Sequence, residues 1–187
     1  MPRLPELELD ALDDEQRRIA DEITGGPRGG LSGPFRPWLN SPVLADRAQK
    51  LGAYVRYDTS LPPRLSELAI LFTARHWTAQ FEWYAHAPMA RTGGLPDDVI
   101  DAIQRGDRPD FAADDEAAVY DFCVELYETS RVSDPTYARV VKHLGTRGAV
   151  DLVGILGYYA LVSMTLNVFE VTVPDGESLP LSEDLPG

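Results

Sequence analysis

Between Pro62 and Pro88 the chain reads PPRLSELAILFTARHWTAQFEWYAHAP, and this stretch holds Glu67, Arg75, His76, Glu82 and His86. These are the side chains best suited to proton chemistry. Glu82 and His86 stand four apart, so on a helix they share one face a turn from each other, within hydrogen-bond reach. Leu65, Leu68, Ile70, Leu71 and Phe72 form an apolar surface at helical spacing, and Glu67 falls within it. A carboxylate placed there needs a partner. The bland alternatives are an acid in the first turn of a helix begun at Pro62-Pro63, favoured by the macrodipole, and an exposed i,i+4 pair contributing about 0.2–0.5 kcal/mol. Phe81, Trp83, Tyr84 and Met89 surround the Glu82–His86 pair and favour partial burial, where a neighbouring carboxylate raises the pKa of a histidine.

Arg75 reads either as a substrate contact or as a solvent-facing helix residue, and His76 either as a contact or as a helix-ending cap. Arg36 stands among Phe35, Pro37 and Trp38. A guanidinium in such surroundings suits a ligand carboxylate, with Trp38 beside it as a further substrate-binding candidate. Lys142 and His143 read as dipole partners near a helix C-terminus, and Tyr158 and Tyr159 as core. Glu67, Glu82 and His86 could be drawn as a metal site, but their spacing matches no strong metal motif, and no metal is expected.

The elements that must position these groups are helical. Asp13-Asp14-Glu15 reads as an N-cap and acidic first turn, and Gly25-Gly26-Pro27 ends that helix. Residues 24–40 read as a loop rich in Gly and Pro. It carries Phe35, Trp38 and Leu39, so it must fold over the core instead of extending into solvent. Ser41-Pro42 opens a helix through Val43, Leu44, Ala48, Leu51 and Tyr54. The cluster His76-Trp77-Thr78 lowers helix propensity, so one helix ends there and another begins near Ala79; Pro88 kinks or ends it before Gly93-Gly94. Pro96 to Arg105 is a short helix closed by Gly106. Asp114-Asp115-Glu116 repeats the opening of the first helix, and Asp134-Pro135 repeats Ser41-Pro42. Ala149 to Phe169 contains only Asp151 as a charge, yet its glycines and polar residues and its lack of basic flanks favour a buried core helix over a membrane span.

Glu67-Leu-x-x-Leu is matched by Asp151-Leu-x-x-Ile, so three landmarks recur in the same order and fit two similar helical halves with unequal loops. With no alternating strand pattern of useful length, the expectation is one all-α domain over residues 1–187 with about seven or eight helices. Residues 170–187 are expected to form a loose acidic tail.

The chain has 187 residues, of which 44% are hydrophobic and 25% charged, enough to bury a core without staples. Its net charge of −13 opposes nucleic acid and anionic membrane surfaces. The start, MPRLPELELDALDDEQ, is acidic and lacks a basic n-region with an apolar h-region, so a cytoplasmic location is expected. Cys123, the single cysteine, sits in an apolar run and reads as a buried thiol.

The pattern Leu65-Ser-Glu-Leu-Ala-Ile-Leu71 followed by Glu82-Trp83-Tyr84-Ala85-His86 resembles the carboxymuconolactone decarboxylase family of the AhpD-like (alkylhydroperoxidase) superfamily. The resemblance extends more loosely over Gly33 to Gly106 and into the second half. In the peroxidase branch of that superfamily a Glu is followed twelve and fifteen residues later by two cysteines and then by a His; here those positions are Glu67, Ala79, Glu82 and His86. The Glu and the His are present and both thiols are absent.

The resemblance implies an AhpD-like helical fold, a homo-oligomer of three or six copies, and cofactor-free, metal-independent chemistry. The reading it supports is decarboxylation, or proton-transfer isomerisation or cyclisation, of a small organic acid or lactone. His86 would move the proton, Glu82 would orient its ring, Glu67 would be the second acid or base, and Arg36 would hold the anion. These four groups are expected to converge on one pocket. The rivals are a thiol-dependent peroxide reductase, which Cys123 alone cannot support within one chain, and a non-catalytic helical module that binds a small acid or a partner.

Overall fold

Asp13 opens α1 (Asp14–Thr24) with a capping box: its Oδ1 accepts from the Gln16 N–H at 2.8 Å, and its own N–H donates to Gln16 Oε1 at 3.0 Å. The Gln16 amide also donates to Leu39 O at 3.0 Å, tying α1 to the segment that follows. A computed structural model of the chain describes residues 3–4 and 7–182. Among the described residues every regular element is helical: a 3₁₀ turn (Leu9–Ala11), α1, α2 (Phe35–Leu39), α3 (Pro42–Ala53), a π turn (Tyr54–Asp58), α4 (Pro63–His76), α5 (Gln80–Thr92), α6 (Asp97–Arg105), α7 (Asp114–Thr129) and α8 (Asp134–Val168). The all-α expectation is met.

The central element is α4, which packs against α5, α6, α7 and α8. Leu65, Leu68 and Leu71 are fully buried and Ile70 is nearly so. Burial of each such side chain stabilises the fold by about 1.5–3 kcal/mol. The turn that sends α5 back along α4 uses Thr78 at φ 48°, a left-handed conformation rare for a β-branched residue, and the Ala79 N–H closes it on Ala74 O at 2.8 Å. Pro88 lies inside α5, which continues to Thr92.

Gly145 (φ 71°, ψ 175°) breaks α8 into two segments. The apolar second segment buries Leu152, Ile155, Leu156, Tyr158, Tyr159, Val162 and Leu166, and 61% of its most hydrophobic stretch is buried in the protein, as a core helix requires. The N-cap of α8 is Ser133, whose side chain accepts from the Thr136 N–H, one residue earlier than the Asp134 expected. The recurring landmarks lie in α1 and α7, in α3 and the first segment of α8, and in α4 and its second segment.

Two expectations are corrected. Residues 24–40 are not loop throughout, because Phe35, Trp38 and Leu39 share the inward side of a one-turn helix and are all buried. The tail is not loose at residues 180–182. Leu181 is 3% exposed, its N–H donates to Gln80 Oε1 and its carbonyl accepts from Gln80 Nε2, both at 2.9 Å. Gln104 Nε2 donates to Pro180 O at 2.8 Å, and Arg75 reaches Ser182 O at 3.2 Å. Residues 180–182 are thus held by side chains from α4, α5 and α6. The part of that expectation falling on residues 183–187 lies outside the described residues.

Candidate active site

The α4–α5 hairpin sets Glu67 against His86, and one turn of α5 sets Glu82 on the other side of the ring. Glu67 Oε2 lies 2.7 Å from His86 Nδ1, and Glu82 Oε1 lies 3.0 Å from His86 Nε2. The imidazole is therefore clamped between two carboxylates, one on each nitrogen. All three residues are buried, His86 and Glu82 at 3% exposure each. Burial opposes a charge on the ring, but the Glu82 and Glu67 carboxylates outweigh it and raise the His86 pKa from 6.5 to about 9. At neutral pH the ring is an imidazolium that holds a transferable proton.

Glu82 and His86 open onto a cavity of about 200 Å³ whose lining does not include Glu67. The three groups thus form a line: Glu67 behind, His86 in the middle, Glu82 at the cavity. Tyr159 meets the His86 ring edge to face, with centroids 5.1 Å apart at 82°, and burial together with Glu82 pushes its hydroxyl well above 10. The other walls are Phe35, Tyr57, Phe81 and Tyr158, with Arg28 and Arg56 as the cations. Arg28 comes from the loop between α1 and α2, and Arg56 from the π turn. Arg56 Nη2 contacts Met89 Sδ at 2.9 Å, and its guanidinium lies 5.4 Å from the Tyr57 ring centroid. Gly33 (φ 66°) lets the loop close on Phe81, since a Cβ there would sit 2.9 Å from Phe81 Cε1.

Of the residues singled out by sequence, Glu67, Glu82 and His86 are brought together and the other four lie elsewhere. Arg36 is on the exposed side of α2 and does not line the cavity, because the inward side of that single turn is taken by Phe35, Trp38 and Leu39. Trp38 is a buried support: its Nε1 donates to Thr165 Oγ1 at 3.0 Å and its ring meets Tyr158 edge to face at 6.2 Å. Arg75 is buried at 4% exposure and holds the tail through Ser182; burial lowers its pKa. His76 lines a separate groove with Trp77 and Tyr127, and burial lowers its pKa as well.

Sequence reasoning missed Arg28, Arg56 and Tyr57, and it assigned Tyr158 and Tyr159 to the core alone. The tyrosines are core residues that also present one face to the cavity. Arg28 carried one faint signal, a lone cation within Gly25-Gly-Pro-Arg-Gly-Gly30. Among the described residues no group of three or more His, Cys, Asp or Glu side chains is arranged to hold a metal ion. The two carboxylates occupy both imidazole nitrogens, so the three groups do not point at a common centre.

No protein-family model matches the chain, and no curated protein matches it. Among solved structures it is similar to the alkylhydroperoxidase AhpD core of an uncharacterized peroxidase-related protein from Ralstonia eutropha JMP134, with 20% identity, a TM-score of 0.75 and 93% of each chain covered. The likeness spans nearly the whole chain, and the helices here, among the described residues without a strand, are those of that architecture. The chain therefore has the AhpD-like all-α fold.

Proposed function

We propose that this protein is a cofactor-free acid/base enzyme of the carboxymuconolactone decarboxylase type, acting on a small organic acid or lactone by decarboxylation or by proton-transfer isomerisation or cyclisation. The observation that carries this reading is the Glu67–His86–Glu82 line, which ends at a cavity with the Glu82 carboxylate at its wall and a protonated ring behind it. In a decarboxylation the carbon–carboxylate bond breaks, CO₂ departs, and the electron pair left behind delocalises as an enolate or dienolate. That carbanion must then gain a proton. Glu82 is placed to relay it: its carboxylate takes the proton from His86 Nε2 and passes it to the carbanion, while Glu67 accepts from the Nδ1–H and keeps the ring oriented. The same line run in the other order removes a proton and returns it at a second carbon, which is the chemistry of an isomerisation or cyclisation.

The fold likeness to a peroxidase-related protein favours a second reading, thiol-dependent peroxide reduction. Against it, Ala79 and Glu82 stand where that branch carries its thiols, and Cys123 is fully buried with its thiol pKa pushed up by burial. Three or six copies assembled through apolar surface belong to the first reading; Val150, Val153, Met164 and Val168 expose such a surface on α8.

Small lactone acids incubated with the enzyme in D₂O should release CO₂ or incorporate deuterium, and His86→Gln should slow this by about 10²-fold or more. A folded His86→Gln protein that turns over at the wild-type rate would sink the relay. Saturable binding with neither CO₂ release nor exchange would leave a binding module in its place.

A further inference from the structure

Arg56 is a half-buried cation on the wall of this cavity. Among the described residues its hydrogen-bond acceptor is Met89 Sδ, at 2.9 Å, and no carboxylate pairs with it. A thioether sulfur is a weak acceptor and carries no charge. The chain has 30 acidic against 17 basic side chains, and Arg64, Arg91, Arg105 and Arg108 each pair with an aspartate. A half-buried guanidinium that faces a cavity without such a partner, in a chain with acids to spare, implies an anion supplied from outside. We propose that Arg56 binds the carboxylate of the substrate, and that the cavity takes a small, flat, unsaturated or aromatic acid with that carboxylate at Arg56 and its reacting carbon at Glu82.

The backbone that presents Arg56 is fixed in advance. Arg56 sits in the π turn Tyr54–Asp58, an uncommon element often found at functional sites. Asp151 of α8, itself 5% exposed, accepts from Tyr54 Oη at 2.7 Å and from Ser60 N and Oγ at 2.9 and 2.7 Å, so it ties down the chain on both sides of Arg56. With its guanidinium 5.4 Å from the Tyr57 ring centroid, Arg56 loses little freedom when an anion arrives. The other cation of the lining is engaged, since Arg28 Nη2 is buried against the Tyr158 hydroxyl beside Gly52. Arg56 and Glu82 serve one space. Burial pushes up the hydroxyls of Tyr158, to about 12, and of Tyr159, well above 10, and the Arg56 charge works against this at both, so it reaches the wall that packs on His86. A volume of about 200 Å³ between the faces of Phe35, Tyr57 and Phe81 admits one flat ring or diene of modest size. Glu82 repels an anion, so the acid lies with its carboxylate at Arg56 and its carbon skeleton toward Glu82. Pairing with a guanidinium stabilises a carboxylate and opposes its loss as CO₂, so the carboxylate that Arg56 holds is one the substrate keeps.

The anchor rests on the acid/base reading for its meaning, although anion binding is measured without turnover. Benzoate, its neutral isostere benzamide, and acetate, which lacks the ring, serve as probes titrated into the full chain by calorimetry. Benzoate should bind once per chain, and the other two about tenfold more weakly or worse. Arg56→Gln should weaken benzoate by about tenfold or more while leaving the ligand-free thermal midpoint in place. Arg56→Lys should recover part of the loss, and Arg36→Gln, which lies off the cavity on α2, should bind benzoate as the wild type does. Equal binding of benzoate and benzamide, no saturable benzoate binding, or wild-type affinity in a folded Arg56→Gln protein overturns the anchor; acetate bound as tightly as benzoate overturns the flat-ring class. Benzoate binding that depends on Arg56, with neither CO₂ release nor exchange from any acid, keeps the anchor and removes the relay. Turnover of an acid that Arg56→Gln leaves at the wild-type kcat/KM removes the anchor and keeps the relay.

Discussion

Replacing Glu82 by Gln keeps the shape of the side chain and deletes the charge facing His86 Nε2 at 3.0 Å. In the wild type the ring pKa stands at about 9 against 6.5 for a free imidazole. At about 1.36 kcal/mol per pKa unit, that difference makes protonation of His86 worth about 3 kcal/mol to the folded state. The sign follows from which state holds the proton more tightly. The folded pKa is raised, so the stabilisation is complete below about 6.5 and is lost as the pH rises through about 9. Urea unfolding between about pH 6 and pH 10 should therefore show wild-type stability falling by about 3 kcal/mol from this group. With Glu82→Gln only Glu67 still raises the pKa, so the ring should titrate about one unit lower or more, and the same pH interval should cost about 1–2 kcal/mol. NMR of the ring protons gives the pKa directly, and the denaturation series gives the linked energy. A wild-type His86 that titrates near 6.5, or a Glu82→Gln variant with the wild-type pKa and pH slope, would refute the clamped imidazolium.

Two further outcomes are expected. Cys123→Ser should leave turnover of any small acid nearly unchanged, because the thiol is fully buried in α7; thiol-dependent reduction of an organic hydroperoxide that this substitution abolishes would overturn the assignment. Leu181→Ala should destabilise the protein by about 2–5 kcal/mol, as for a core leucine, and speed amide exchange at residues 181–182; a change in urea midpoint too small to resolve would show that the tail is not held.

The features legible in the sequence were those decided over one or two turns of helix. The four-residue spacing of Glu82 and His86 puts them on one face whatever surrounds them, and the break at His76-Trp77-Thr78 lies in local propensity. Glu67 sits among leucines, so it had to face inward and find a partner across the hairpin. The acidic N-cap signature at Asp13 was equally local.

What only the tertiary structure decided is which distant groups share the cavity. Arg28, Arg56 and Tyr158 come from a loop, a π turn and the last helix, and no spacing rule connects them; they meet because Gly52 leaves room for Tyr158 and Arg28 to approach. Arg36 had the right chemistry and the wrong side, since a single helical turn spends its inward positions on Phe35, Trp38 and Leu39. The tail had the composition of a loose arm, yet Gln80, Gln104 and Arg75 hold its backbone and Leu181 enters the core. Composition measures what a segment can do for itself, and this one is ordered by hydrogen bonds that other elements supply.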